Sequence, residues 1–327
     1  MDILNPRSLR EDASRALVRG RDPKKLIFTY AGISLGLSLL VSLLNLWLEN
    51  EISGTGGLSN LGARAIFSTA QQAVPILASL LSMCLELGYL SGMMRISRGQ
   101  YADHTDLKVG LEKFWPLMRL SILQGLIYMG LGLVSLQLGG LVFAMTPWAE
   151  PMMEAASAVT AADPAALTEA VLLDLINQMI PGYVICGIIY LFLLIPFLYK
   201  LRFSTFCLLD DPDGRALGAI RASIKLMRRH FLDLLKIDLS LWLYHVGRVL
   251  VLLILVSDII LMLLGIEIPM DSNLFLVVIN AAAALLQFAL YVTLRNKTEA
   301  VYITAYDRLR EKPKEGGPVV LGNIFDM

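Results

Sequence analysis

The chain has 327 residues, of which 56% are hydrophobic and only 17% charged, and its mean hydropathy is +0.64. Soluble domains run nearer half apolar and a quarter charged, so the composition is that of a membrane protein. Lys plus Arg and Asp plus Glu balance at 28 each, which excludes the basic field of a nucleic-acid binder. The three cysteines, Cys84, Cys186 and Cys207, are scattered through apolar runs, form neither a disulfide framework nor a zinc site, and are expected as small buried hydrophobes.

The amino-terminal arm, residues 1–25, opens with "NPRSLREDASRALVRG". Asn5 is placed to cap a helix and Pro6 to be its first residue, with Leu9, Ala13, Ala16 and Leu17 forming a narrow apolar face. Six apolar segments then follow, each long enough to cross ~30 Å of hydrocarbon, for which ~20 helical residues suffice. They are 26–48, 73–94, 117–145, 180–198, 237–264 and 274–294. Together with their connections they make one membrane domain, residues 26–309, followed by a flexible tail at 310–327. In the first segment, Gly32-x-x-x-Gly36 with Ser38 and Ser42 predicts close approach of a second helix. Between the second and third, "DHTDLKVGLEKFWPLM" places Leu107, Leu111, Phe114 and Met118 on one side. Its Asp103, His104 and Asp106 read as helix-start caps in preference to a metal cluster.

The connection at 146–179 is acidic, with Glu150, Glu154, Asp163, Glu169 and Asp174 and no base. Pro164 predicts a short helix beginning at Ala165 on the outer surface, and Met152, Met153 and Met179 read as interfacial hydrophobes. Pro196 is expected to kink or end the fourth segment. After it comes "DDPDGRALGAIRASIKLMRRHFLDLL", where Asp211 is expected to cap and Pro212 to start a helix. Leu217, Ile220, Ile224, Met227, Phe231 and Leu234 form one stripe of that helix, with Arg221, Lys225, Arg228 and Arg229 away from it. This is the pattern of a basic amphipathic helix facing anionic lipid, or equally of a stripe packed on the bundle with bases that enforce topology.

Basic residues alternate with their absence along the chain. Arg7, Arg10, Arg15, Arg19, Arg21, Lys24 and Lys25 precede the first segment, while Arg64 alone follows it and the third and fifth connections have none. The alternation predicts six spans with both termini cytoplasmic.

The fifth segment, "LWLYHVGRVLVLLILVSD", contains His245 and Arg248. If helical from Asp238 to Asp258 it measures ~30 Å, and Arg248 sits ~15 Å deep at its middle. A lone central Arg costs at least ~2.5–3.5 kcal/mol, so a carboxylate partner is expected. Asp238, His245 and Arg248 share a helical face. Glu86 is the acid deep in another span, ~13 Å from Arg95, and is expected to pair with Arg248. Asn280, Gln287 and Tyr291 line a face of the sixth segment and complete the polar set. Such a pair either fixes which helices touch or belongs to a polar cavity for a proton, ion or headgroup, with His245 titrating near neutrality.

Several stretches carry a family resemblance: "SLREDASRALVRG", "LSGMMRISRGQYADHTDLKVGLEKFW", "IPFLYKLRFSTFCLLDDPDGRALGAIRASIKLMRRHFLDLLKIDLSLW" and "TEAVYITAYDRL". The chain resembles a family of uncharacterised bacterial six-span integral membrane proteins, distantly akin to the membrane domain of glycerophosphodiester phosphodiesterases. The resemblance implies an all-α bundle in a bacterial plasma membrane and brings no catalytic residues with it. No phosphate cradle, H-E-x-x-H or G-x-S-x-G occurs in the sequence. The expectation is therefore a non-enzymatic plasma-membrane protein without cofactor or metal, engaging anionic lipids or a cytosolic partner through its basic helices. A small-molecule or ion transporter is the alternative, and a lipid-headgroup enzyme stands third.

Overall fold

The computed structural model describes residues 4–19, 23–54, 61–161, 169–257, 261 and 272–311. Helix α1 is Pro6–Arg19, and Asn5 caps it by accepting from the Arg7 N–H at 3.0 Å. Helices α2 (Pro23–Gly54) and α3 (Leu61–Ser97) pack along each other. A 3₁₀ turn at His104–Lys108 and the single turn α4 (Val109–Glu112) then fold back onto the last part of α3. Asp103 and Asp106 close a capping box at that turn, which accounts for the local acids, and Asp106 also accepts from Arg95 at 2.5 Å.

Two glycines make this fold-back tight. A Cβ on Gly88 would fall on the backbone carbonyl of Leu107, and a Cβ on Gly110 on that of Cys84. The expected close approach at Gly32 and Gly36 is absent, since nothing described lies within 4 Å of a Cβ at either position. Small residues permit contact but do not attract it.

Helix α5 (Phe114–Ala144) pairs with α7 (Glu169–Leu201), where the Ser135 hydroxyl donates to the Cys186 carbonyl at 2.6 Å. Between them lies α6, Ala149–Ala161. That helix was not expected, and the short separate helix expected from Ala165 is not formed over the described residues. Residues 169–179 continue directly into the long helix, whereas Pro164 lies outside the described residues. Pro181 and Pro196 both sit inside α7, which runs on to Leu201 instead of ending at Pro196. Helix α8 (Ser204–Asp210) is followed by α9 (Ala216–Met227). Asp211 does not cap α9 from Pro212. Its carboxylate accepts from the N–H groups of Asp213 and Arg215, closing a turn that ends α8, and the helix starts later because Gly214 takes a φ of +61°.

The fifth apolar segment is two helices, α10 (Phe231–Ser240) and α11 (Trp242–Leu255), meeting at Leu241 with a bend of 76°. The expected straight helix across 237–264 is therefore not formed. Helix α12 (Ser272–Leu290) packs on α2 and α11, then widens into a π turn at Tyr291–Arg295 and continues as α13, Asn296–Glu311. Of the tail expected at 310–327, Arg310 and Glu311 belong to α13, and 312–327 lie outside the described residues.

Among the described residues the fold is all helix and turn. Five helices are long and apolar enough to cross a membrane, and a sixth crossing is available if α10 and α11 count as one bent span. The buried core gathers at one end of the bundle, where Met93 and Ile96 of α3, Phe203 and Leu208 around α8, and Ile303 and Tyr306 of α13 are almost wholly enclosed. Away from that end the helices turn Leu40, Leu77, Leu133, Leu141, Phe192 and Leu252 outward. So much outward apolar surface is unusual in a water-soluble monomer and suits a bundle sheathed in hydrocarbon.

Candidate functional site: a polar chamber floored by a buried ion pair

The deeply buried cation is Arg295, at 3% side-chain exposure, and it sits at the end of the widened turn between α12 and α13. Its Nη2 donates to Glu86 Oε1 at 2.7 Å and its Nη1 to the Tyr30 hydroxyl at 3.0 Å. Glu299, one helical turn on, brings Oε1 to 3.8 Å from Nε. Three rings enclose the guanidinium, with its carbon 4.4 Å from the centroid of Tyr291, 4.8 Å from Tyr30 and 5.0 Å from Tyr89. Tyr30 in turn stacks on Tyr89 at 4.7 Å, and the Tyr89 hydroxyl donates to Asn296 at 2.7 Å. A cation inside an aromatic cage gains about 0.5–2 kcal/mol from a ring, more as water is excluded.

Glu86 therefore pairs with Arg295, not with the expected Arg248. The physical reason is the bend at Leu241. Depth along the fifth segment cannot be counted from Asp238 through a 76° turn, and Arg248 lies ~10 Å beyond the break on the outward side of α11. Arg295 follows directly on the sixth apolar segment, 274–294, among the bases beyond it. The signal that could have found it is the spacing of Tyr291, Arg295 and Glu299, which share a helical face.

Above this pair α2, α3 and α12 enclose a cavity of about 620 Å³. Ser34, Ser38, Ser42 and Asn45 line it from α2, and Ser79, Ser82 and Glu86 from α3. Asn280, Gln287 and Tyr291 face it from α12, where the Gln287 amide donates to the Tyr291 hydroxyl at 2.6 Å. Each set repeats at helical spacings of three, four or seven, so three helices turn polar stripes toward one space while their other faces are apolar. The Glu86 side chain keeps 52% of its surface open, although its partner is sealed. Asn45 Oδ1 is buried at the wall with no protein donor. The serine stripe was visible in sequence at Ser38 and Ser42 but was read there as packing.

Two further polar nodes tie the basic end together. Asp238 accepts from Tyr199 at 2.7 Å and from Tyr302 at 2.5 Å. His245 Nε2 stands 3.2 Å from the Tyr302 hydroxyl and 3.9 Å from Asp238, so Asp238 and His245 meet across the bend while Arg248 remains exposed. Arg202 lies over the Tyr302 ring at 4.2 Å. The second node joins Arg98 to both oxygens of Asp210, at 2.8 and 2.9 Å, and to Asp307 at 2.7 Å, with Arg310 on Asp210 at 2.5 Å. The two-pronged bond to Asp210 raises the pKa of the Arg98 guanidinium above its ordinary value.

The bases Arg221 and Lys225 of α9, and Arg228 and Arg229 just beyond its end, are all exposed. The apolar stripe beside them is divided: Ile220 and Met227 are buried in the bundle, whereas Leu217 and Ile224 face outward. The cysteines are free, with Cys84 and Cys207 buried and Cys186 half-buried.

Comparison with family models, curated proteins and solved structures gives no match. The family resemblance accordingly rests on the quoted sequence stretches alone.

Proposed function

We propose that this chain is a multi-pass membrane protein of the plasma membrane, with both termini on the cytoplasmic side, that binds and passes a small polar solute through the chamber between α2, α3 and α12. The observation that carries this reading is the half-open Glu86 carboxylate in a chamber walled by hydroxyl and amide groups, within helices otherwise built for hydrocarbon. A structural pin needs only the pair. It does not need serines on two neighbouring helices and an asparagine carbonyl left for an outside donor, each expensive in a membrane interior unless water or ligand reaches it. Arg295 neutralises Glu86 from below, so the chamber suits neutral, hydrogen-bonding solutes or weak cations better than anions.

The test is thiol accessibility in reconstituted vesicles, on a background with the native cysteines replaced. Cysteines at Ser38 and Ser82 should react with a small membrane-impermeant maleimide at rates near those of a loop position. Reaction as slow as at Leu40, which faces outward, would show a dry interior and return the pair to a purely structural role. A second reading, attachment of α9 to an anionic surface, is favoured by outward-facing Leu217 and Ile224 beside Arg221 and Lys225.

A further inference from the structure

A second cavity, of about 550 Å³, lies on the other side of the bundle's basic end, away from the chamber. It is a trough between α1, the first residues of α2, the break at Leu241 and the start of α13. Ala13, Leu17, Leu294 and Val301 make an apolar floor, and the broken segment adds Leu243, itself outward-facing. Three bases reach its edge from three different helices: Arg10, Lys24 and Lys297. All three are exposed, and among the described residues none of them hydrogen-bonds or ion-pairs with the protein. Among the described residues no carboxylate lines the trough.

This contrasts with the rest of that end. There Arg95, Arg98, Arg308 and Arg310 are each tied to a carboxylate. A protein that neutralises these four cations, yet gathers three others around one greasy trough, has complemented a negative charge that carries hydrocarbon. The volume lies within the ~300–1,000 Å³ of ordinary ligand sites. The break between α10 and α11 forms part of the wall, through Ser240, Leu241, Leu243 and Tyr244.

We infer that the trough is a binding site for one anionic glycerophospholipid, with its phosphate among Arg10, Lys24 and Lys297 and an acyl chain along Leu17, Leu243 and Leu294. A soluble anion would not need the apolar floor, and a zwitterionic lipid would leave the net charge unmatched. The site is independent of the chamber and of α9.

The experiment is native mass spectrometry of the full chain released from mixed micelles containing equal phosphatidylglycerol and phosphatidylcholine. The protein should retain one phosphatidylglycerol in preference to phosphatidylcholine. The variant R10Q/K24Q/K297Q should lower that preference by about tenfold or more, since each base near an anionic headgroup accounts for about fivefold. L243Q should reduce adducts of both lipids, and because Leu243 is exposed the substitution should leave the fold intact. The control R221Q/K225Q/R229Q removes as many charges from α9 and the turn after it and should change the preference less than about twofold. The inference is overturned if the first triple variant keeps its preference, or if the α9 control loses as much. It is equally overturned if inorganic phosphate displaces the adduct, or if the species lost in the triple variant is a second copy of the chain.

Discussion

Replacing Arg295 by Met, which keeps the length of the side chain and removes its charge, separates the observed ion pair from the one expected at Arg248. The substitution deletes charge-assisted bonds to Glu86 and Tyr30, worth about 1.5–3 kcal/mol for such bonds, and it empties a three-ring cage. It also leaves Glu299, whose side chain is 16% exposed, beside no cation of its own helix turn. Removing one partner of a buried pair costs about 3–5 kcal/mol, and the enclosure here places Arg295→Met at the upper end of that range. Glu86→Gln should cost only about 1 kcal/mol, because the carboxylate is half-solvated, the amide oxygen still accepts, and Glu299 continues to balance Arg295. Arg248→Met should stay within about 0.5 kcal/mol, as an exposed side chain with no bond to lose. Unfolding in mixed detergent and SDS micelles, followed by tryptophan fluorescence, ranks the three. If Arg248→Met is as costly as Arg295→Met, or Glu86→Gln matches Arg295→Met, the asymmetric pair described here is wrong.

Gly88→Ala and Gly110→Ala should each destabilise by more than about 1 kcal/mol in the same assay, because the new methyl meets backbone that cannot rotate away. Gly32→Ala and Gly36→Ala should be neutral or stabilise by up to about 1 kcal/mol through helix propensity. Tyr302→Phe should cost about 1–2 kcal/mol by leaving Asp238 the Tyr199 hydroxyl as its remaining hydroxyl donor, and Tyr199→Phe should cost more in a background that already lacks the Tyr302 hydroxyl than it does alone. Asp210→Asn should loosen α13 from α3, read as faster hydrogen exchange at residues 303–311 with little change in α2.

The helix-rich architecture was legible because hydropathy alone sets it, and no competing pattern exists in stretches such as 26–48 or 180–198. The bend at Leu241 was not. "IDLSLWLYHVG" contains no Pro, and its break comes from Tyr199 and Tyr302 holding Asp238 at the basic end while α11 packs through Gly247 on Leu290. Those are tertiary contacts, invisible to periodicity. The same gap displaced the ion pair. Glu86 was found because an acid in an apolar run is conspicuous, whereas Arg295 stood among other bases where a charge needs no explanation. Asn280, Gln287 and Tyr291 were placed on one face by spacing, and what that face looks onto depended on α2 and α3. The glycine pair at Gly32 and Gly36 misled for a related reason: sequence reports where a helix permits contact, while the partner's surface decides whether it occurs.

One segment explains why the core lies at the basic end. Helix α13 and its π turn carry Arg295 to Glu86 and Tyr30, Tyr302 to Asp238, Tyr306 and Arg310 to Asp210, and Arg308 to Asp12. These bonds reach α1, α2, α3, α8 and α10 from a single helix, each ending on a carboxylate or hydroxyl that would otherwise be stranded near hydrocarbon. In a continuous α-helix, advancing 100° per residue, Tyr291, Arg295 and Tyr302 would all lie within about 40° of one another on a single face. The extra residue accommodated in the Tyr291–Arg295 turn shifts that phase. The widened turn is therefore the joint at which the chamber's floor is fixed to the charged core through the Arg295–Glu86 bond.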